Sequence, residues 1–132
     1  MPQARQALDP RDEILLIGND PLLIWNAPAN ALAREADVND LLAAAWENDV
    51  TWVAVRTEVL HDDFFRLDTG LAGAILQKLV NYGVSLAVVG DIEPWLARSE
   101  AFSAFVREAN RGRTTSFVAT IDALKQHSAK NI

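Results

Sequence analysis

The chain has 132 residues, of which 50% are hydrophobic and 23% are charged, and its net charge at pH 7 is −6. This length and composition are typical of one globular domain with a hydrophobic core, and they exclude a largely disordered chain. The negative charge disfavours general binding to nucleic acid or to an acidic membrane surface, because contacts with phosphate groups supply most non-specific affinity.

The first half of the chain predicts a hairpin, a helix and a buried strand. Short predicted strands at 13–17 (EILLI) and 22–25 (LLIW) flank the turn sequence GNDP, which is typical of a β-hairpin. Asp37 is a plausible N-cap for a helix whose apolar stripe ends at Trp46. Residues 50–55 (VTWVAV) form a strand that is apolar on both faces, as expected when helices cover both sides of a sheet.

A helix over residues 69–82 (TGLAGAILQKLVNY) is the central element of the chain. At 100° per residue, its apolar residues fill one continuous half of the helix, which is wide enough to pack against a sheet. These residues are Leu71, Ala72, Ile75, Leu76, Leu79, Val80 and Tyr82. The other half has one charged residue instead of the several that a solvent-facing surface usually carries. It consists of Gly70, Gly73, Ala74, Gln77, Lys78 and Asn81.

Two interpretations of the glycines in this helix remain open. Each glycine costs about 1 kcal/mol relative to alanine inside a helix, so a compensating contact is expected. In one interpretation, the small residues allow a backbone, a ligand or a partner to approach closely, while Gln77 and Asn81 offer hydrogen bonds. In the other, Gly70 begins the helix and Gly73 packs against a neighbouring element of the same chain.

The chain then alternates between helices and strands. Gly83 ends the central helix, residues 84–89 form a second apolar strand, and a helical turn follows near Trp95. The helix that starts at Ser99 is predicted to bury Ala101, Phe102, Phe105, Val106 and Ala109. Gly112 is a candidate C-cap for it.

The last predicted elements are a strand over residues 115–118 and a helix over residues 121–126 that is capped by Thr120. A hairpin followed by alternating helices and strands predicts a single-domain α/β sandwich with a largely parallel central sheet and right-handed crossovers. This domain covers residues 13–127, between a flexible arm at 1–12 and a polar tail at 128–132. No apolar run approaches the roughly 18 residues of a membrane span, and the polar amino terminus is unlike a secretory signal. We therefore expect a soluble, cytoplasmic protein.

No signature of an enzyme stands out in this sequence. The chain has no cysteine, and the one local cluster of other metal-ligating residues, at 61–63, is better explained as an exposed acidic turn. Thr69 and Ser99 are more simply helix caps than nucleophiles, because no base is paired with either by spacing. The sequence predicts no catalytic residue, no metal and no cofactor.

A second set of polar residues can bind a small anion. The sequence NRGR at 110–113 offers two guanidinium groups, although a helix end that needs capping explains the same residues. Asp91 follows a strand, where ligands bind in parallel sheets, and it can equally cap the turn at Pro94. The anion-binding prediction comprises Lys78, Asp91, Asn110, Arg111 and Arg113.

Three motifs carry a family resemblance. FFRLDTGLAGAILQKLVNY, LAVVGDI and FVREANRGR occur in this order, the last followed by a Phe-Val strand. Over roughly residues 13–124 the chain resembles an uncharacterised bacterial family, domain-of-unknown-function family 4180. It departs from that family at Ala74, where the family usually has Glu, and at Gly83, where the family usually has Arg. If those charged residues take part in a site, this chain is altered there.

The arrangement of elements also resembles that of STAS domains, the group of sulfate transporters and anti-sigma-factor antagonists. In those domains a kinase phosphorylates a serine in an Asp-Ser-Ser-Gly turn before a helix. The matching turn here is residues 67–70, which places Thr69 at the phosphoacceptor position, but Leu67 replaces the first Asp. The resemblance implies a non-catalytic regulatory or protein-interaction module.

Three hypotheses about function follow. The first is a regulatory or interaction module that binds a protein partner and is switched by phosphorylation of Thr69. Its predicted surface consists of Thr69, Gly70, Gly73, Ala74, Gln77 and Asn81. The second is a small-anion-binding protein or enzyme that uses the central helix and the NRGR turn. The third is self-association through the same surface.

Overall fold

The computed structural model describes residues 12–130, with side chains described for residues 12–126. Residues 1–11 of the predicted arm and residues 131–132 of the predicted tail lie outside this range. The strands are β1 (Glu13–Ile17), β2 (Asp20–Ile24), β3 (Trp52–Arg56), β4 (Ser85–Val89) and β5 (Thr115–Val118). The α-helices are α1 (Val38–Glu47), α2 (Leu71–Asn81), α3 (Glu93–Arg98), α4 (Glu100–Arg111) and α5 (Ile121–Lys130).

The strands form one sheet whose spatial order, β1-β2-β3-β4-β5, is also the order of the chain. β1 and β2 are antiparallel and are joined by the predicted turn, in which Gly18 has a φ of 65°. The other neighbouring strands are parallel. These findings confirm the predicted α/β class, the amino-terminal hairpin and the largely parallel sheet.

Apolar residues cover both faces of the sheet, as the strand sequences predict. On the larger face, residues such as Leu23 and Val53 pack against α1, α2 and α4, together with residues of α3. On the smaller face, Ile24 and Ala54 belong to a second apolar cluster that includes Leu124 of α5. The alternation between Leu23 and Ile24 follows from the two-residue period of a strand.

The order of the strands sets the order of the helices. Each of α1, α2 and α4 lies between two consecutive parallel strands in the chain, and all three pack on the larger face. They therefore lie side by side, with α2 in the middle. We call α1, α2 and α4, together with the turns that lead into them, the helix layer.

A segment of tight turns leads from β3 to α2. The chain makes 3-10 turns at Thr57–Val59, Asp62–Phe65 and Leu67–Thr69. Phe65 anchors this segment, because its ring stacks on Trp95 with a centroid distance of 4.0 Å and meets the edge of Phe102 at 5.7 Å. This aromatic contact fixes the point at which α2 begins.

Three of the predicted helix ends are confirmed. The Ser99 Oγ accepts a hydrogen bond from the Phe102 N–H at 3.1 Å, and the Thr120 Oγ1 accepts one from the Ala123 N–H at 3.0 Å. Gly83 has a φ of 71°, the left-handed conformation that ends many helices.

Other predictions near helix ends agree with the structure in part. Asp37 occupies the N-cap position of α1, but its carboxylate makes no capping hydrogen bond; it accepts hydrogen bonds from the Ala33 and Arg34 N–H groups, at the turn before the helix. Gly112 occupies the predicted C-cap position of α4, where its N–H donates to the Ala109 oxygen. Ala101 was predicted to be buried, but it is exposed because it faces away from the sheet. The last helix continues past its predicted end at Gln126 to Lys130.

Candidate functional site

The exposed side of α2 is the most distinctive surface of the helix layer. Gly73, Gln77, Val80 and Asn81 are all exposed, and Gly70 precedes them on the same side. We call these five residues the α2 face. None of them is charged, and Lys78 at its edge is half-buried. The fold thus brings together the residues of the predicted interaction surface, with Ala74 half-buried beside them.

Thr69 and Gly70 form the turn that leads into this face. The Thr69 hydroxyl lies 2.7 Å from the Asp63 carbonyl oxygen and 2.8 Å from that of Arg66, and it accepts a longer bond of 3.3 Å from the Leu71 N–H. Gly70 has a φ of 80°, a conformation that most other residues avoid. The hydroxyl of Thr69 therefore holds the turn, while Gly70 lets the chain reverse into the helix.

The two open interpretations of the glycines are now partly decided. Gly70 does begin the helix, because it occupies the N-cap position of α2. Gly73, in contrast, does not pack against another part of the described chain, since a Cβ added there would meet no atom within 4 Å. The interpretation in which Gly73 packs against a neighbouring element of the same chain, and so compensates the cost of a glycine inside a helix, is therefore wrong.

A shallow depression of about 390 Å³ lies beside the α2 face, on the side of α1. It is lined by Glu35, Ala74, Gln77, Lys78, Asn81 and Tyr82. The Gln77 Nε2 donates to the Asn81 Oδ1 at 2.9 Å, which fixes the two amides relative to each other. A Glu in place of Ala74 would lie one turn before Lys78 on the same helix, where such pairs attract.

An aromatic pair at the end of this depression was not predicted. Trp46 and Tyr82 meet edge to face with a centroid distance of 5.8 Å, yet they are 57% and 53% exposed. Val80 is 47% exposed as well. The sequence assigned all three to buried faces because they are apolar, although each lies at the edge or end of its helix. The angular position of each residue on its helix, at the border of the apolar half, was the signal that could have indicated that its side chain is exposed.

The residues of the anion-binding prediction do not form one site. Asp91 lies at the carboxyl ends of the strands, next to the bond from the Gly90 N–H to the Val118 oxygen. Asn110, Arg111 and Arg113 lie at the opposite end, where β5 begins. A parallel sheet separates these two edges by the length of its strands.

Several of these residues also have structural partners. The Asp91 Oδ1 accepts from the Glu93 N–H at 3.0 Å, which caps the turn at Pro94. The Asn110 Oδ1 accepts a hydrogen bond from the Phe117 N–H at 2.7 Å and thereby satisfies a backbone donor on the outer edge of β5. Arg111 pairs with Glu108 at 3.1 Å, and both side chains are 75% exposed. Such exposed pairs contribute little stability.

A second depression, of about 290 Å³, lies at the carboxyl ends of β4 and β5. It is lined by Gly90, Asp91, Ile92, Glu93, Phe117, Val118 and Ala119. In open α/β sheets, ligands bind where the strand order reverses and the connecting helices change sides. The parallel strands here follow one another without reversal, so this depression lacks the crevice of such a site.

Two further observations concern metal-ligating side chains and apolar helices in the described range. Within residues 12–130, no group of three or more His, Cys, Asp or Glu side chains could hold a metal ion. In the same range, no helix combines the length and the apolar character needed to cross a membrane.

Comparison with known families decides the relationship of this chain. Residues 17–127 match the family model described as "Domain of unknown function (DUF4180)". The chain belongs to this family. The match confirms the resemblance that the TGLAG and NRGR motifs indicate. The comparisons with curated proteins and with solved structures found no match.

The structure places both positions at which the family resemblance predicts a different residue. Gly83 has a positive φ, a conformation in which an Arg would be strained. Ala74 lines the depression beside the α2 face. An Arg at position 83 would therefore strain this backbone, and a Glu at position 74 would add a negative charge to the depression.

Proposed function

We propose that this protein is a non-catalytic, STAS-like regulatory or protein-interaction module whose contact surface is the α2 face. One observation carries the proposal: the central helix of the layer exposes an uncharged surface in which Gly73 leaves room for close approach. This surface includes the half-exposed Val80, and the half-exposed Tyr82 lies next to it. Protein interfaces are depleted in charged residues and enriched in aromatic residues at their centre.

The alternative, binding of a small anion, has less support. Asp91 and the NRGR residues lie at opposite ends of the sheet. Asn110 already accepts a backbone hydrogen bond, and Asp91 caps a turn. Only Lys78 lies beside a depression at the α2 face. A single cation in a shallow, open depression is a weak anion site compared with a pair of guanidinium forks.

Phosphorylation of Thr69 would switch this surface. The modification removes the hydroxyl hydrogen that is shared between the Asp63 and Arg66 carbonyl oxygens, so the turn before α2 loses its internal bond. It also places up to two negative charges at the amino terminus of α2, where the helix dipole favours them. The turn would then rearrange at the edge of the contact surface.

Site-specific photo-crosslinking in native cells tests the proposal. A photoreactive phenylalanine analogue at Gln77 should give a covalent adduct with a protein, and Gly73→Arg in the same chain should suppress it. The analogue at Lys125, which is exposed on α5, is the matched control and should give none. Intact-mass analysis of the recovered chain detects a phosphate, and Thr69→Glu should change the adduct yield while Thr69→Ser leaves it unchanged.

Two outcomes would contradict the proposal. Equal adduct yields at Gln77 and Lys125 would show that the α2 face is not the contact surface. An adduct that is unaffected by Gly73→Arg would show that contact does not depend on close approach to the helix. An unmodified Thr69 together with a Glu variant of normal yield would remove the phosphorylation step but not the interaction surface.

A further inference from the structure

The outward charges of the helix layer are distributed unevenly. On α1 the exposed charged residues are Asp40 and Glu47, and this helix contains no basic residue. On α4, Arg107 and Arg111 are exposed one turn apart, near the carboxyl end of the helix, while its exposed acidic residues are Glu100 at the amino end and Glu108, which pairs with Arg111. Because α2 lies between α1 and α4, the layer has an acidic flank, an uncharged centre and a flank that is basic at its carboxyl end, which we call the basic flank.

The basic flank is available for new contacts. The pair between Arg111 and Glu108 is highly exposed, and such a pair contributes at most about 1 kcal/mol. Arg113 follows directly after α4 and is exposed too. A carboxylate from outside can therefore replace Glu108 as the partner of Arg111 at little cost.

We propose that a second copy of this chain covers the helix layer, in a two-fold symmetric dimer. The two-fold axis lies in the interface between the copies, parallel to α2. This inference rests on the proposed contact surface and names its partner. A rotation about this axis places α1 of each copy opposite α4 of the other copy. Since both helices end at the edge where the parallel strands begin, Glu47 then lies opposite Arg107 and Arg111 of the second copy.

The centre of the layer suits such an axis, because a residue on a two-fold axis meets its own counterpart. Like charges there would repel, whereas the amides of Gln77 and Asn81 contain both a donor and an acceptor. Gly73 has no side chain to clash, and a Cβ would meet nothing in its own chain. A two-fold axis in the interface but perpendicular to the helices would instead place the acidic α1 of one copy against α1 of the other copy.

Sedimentation velocity of the full chain at several protein concentrations tests the dimer. We expect the wild-type chain to dimerise. Glu47→Arg and Arg111→Glu should each weaken dimerisation at least about tenfold, because each change places like charges together twice in a symmetric dimer. Circular dichroism checks that the two exposed substitutions leave the fold intact.

Mixing the two variants gives the decisive result. In a dimer of one Glu47→Arg chain with one Arg111→Glu chain, the residues at positions 47 and 111 again carry opposite charges at both contacts, so the mixture should dimerise when neither variant does alone. This rescue cannot arise within one chain, because α2 separates the two residues. A mixture that remains monomeric would overturn the proposal.

The failure of this inference is distinct from that of the proposed function. A wild-type chain that stays monomeric at every concentration overturns the dimer. If crosslinking at Gln77 then captures a different protein, the contact surface stands and only the identity of the partner changes. If the chain dimerises but Gln77 and Lys125 crosslink equally, the dimer uses another surface and both proposals fall.

Discussion

At the scale of single residues, Asp37 shows how a carboxylate can stabilise an irregular segment. Its Oδ2 accepts from the Ala33 N–H at 2.9 Å and from the Arg34 N–H at 3.0 Å. The bond from Ala33 is the main reason why the pKa of Asp37 lies below its usual value, although partial burial opposes the shift. The Arg34 N–H and its guanidinium lower the pKa further.

This lowered pKa predicts a pH-dependent contribution to stability. Since the folded state holds the proton more weakly than the unfolded chain, the stabilisation is complete above the unfolded pKa of about 4 and is lost as the pH falls through the folded value. We expect Asp37→Ala to lower the free energy of unfolding by about 1 kcal/mol at pH 7. The difference from wild type should shrink below about pH 4.

Urea denaturation of both proteins between pH 7 and pH 2 measures this difference. Asp37→Asn is the control, because it keeps an acceptor oxygen but has no titrating charge. A difference between wild type and Asp37→Ala that stays constant over the whole range would show that the ionised carboxylate does not stabilise the turn.

At the scale of elements, α1 and α2 end in the same way. The Val50 N–H donates to the Ala45 oxygen and the Val84 N–H donates to the Leu79 oxygen, which closes each helix over a left-handed residue. That residue is Asp49 in α1, with a φ of 57°, and Gly83 in α2. The carboxyl ends of the two helices therefore have the same hydrogen-bond pattern and differ in the residue that adopts the left-handed conformation.

Opposite substitutions at these two positions should have opposite effects. Gly83→Ala should destabilise the protein by about 1 kcal/mol, because a side chain disfavours the left-handed conformation. A Cβ at Gly83 would meet no atom within 4 Å, so no clash adds to this cost. Asp49→Gly should stabilise the protein, by less than about 1 kcal/mol, because aspartate tolerates this conformation better than alanine does.

Thermal and urea unfolding of the two variants check these signs. Gly83→Arg, which introduces the residue that the family resemblance predicts at this position, should lose about as much stability as Gly83→Ala. If Gly83→Ala were neutral, the strain at this position would be smaller than its backbone conformation implies.

At the scale of the whole molecule, the two faces of the sheet are covered very differently. Several helices pack on the larger face, whereas α5 is the one helix of the described range that belongs to the smaller cluster. Among the described side chains of α5, Leu124 is fully buried there. Within the described residues, the smaller face therefore depends on few contacts.

We expect Leu124→Ala to destabilise the protein by about 2–5 kcal/mol, the usual cost of removing a buried leucine side chain. Lys125→Ala, at the exposed neighbouring position, is the control and should change stability by less than about 0.5 kcal/mol. Urea denaturation gives both values. Similar values for the two variants would mean that α5 contributes little to the core.

The sequence by itself determined the elements of this protein. Strands such as β5, the capping role of Ser99 and the left-handed Gly83 are local properties, because they depend on residues within about one helical turn. Hydrophobic periodicity also predicted the α/β class and the coverage of both sheet faces, and the motifs around TGLAG predicted the family.

Only the tertiary structure decided which surfaces stay open. The periodicity of α2 shows that Val80 and Tyr82 are apolar, but not that the neighbouring elements leave them half exposed. Likewise, Asp91 is nearer than Glu47 to Arg111 along the sequence. In the fold, however, Asp91 lies at the carboxyl ends of the strands, whereas Glu47 and Arg111 both lie at the opposite edge of the sheet. Exposure and proximity depend on contacts between distant segments, and these are set by the order of the strands and the packing of helices on them.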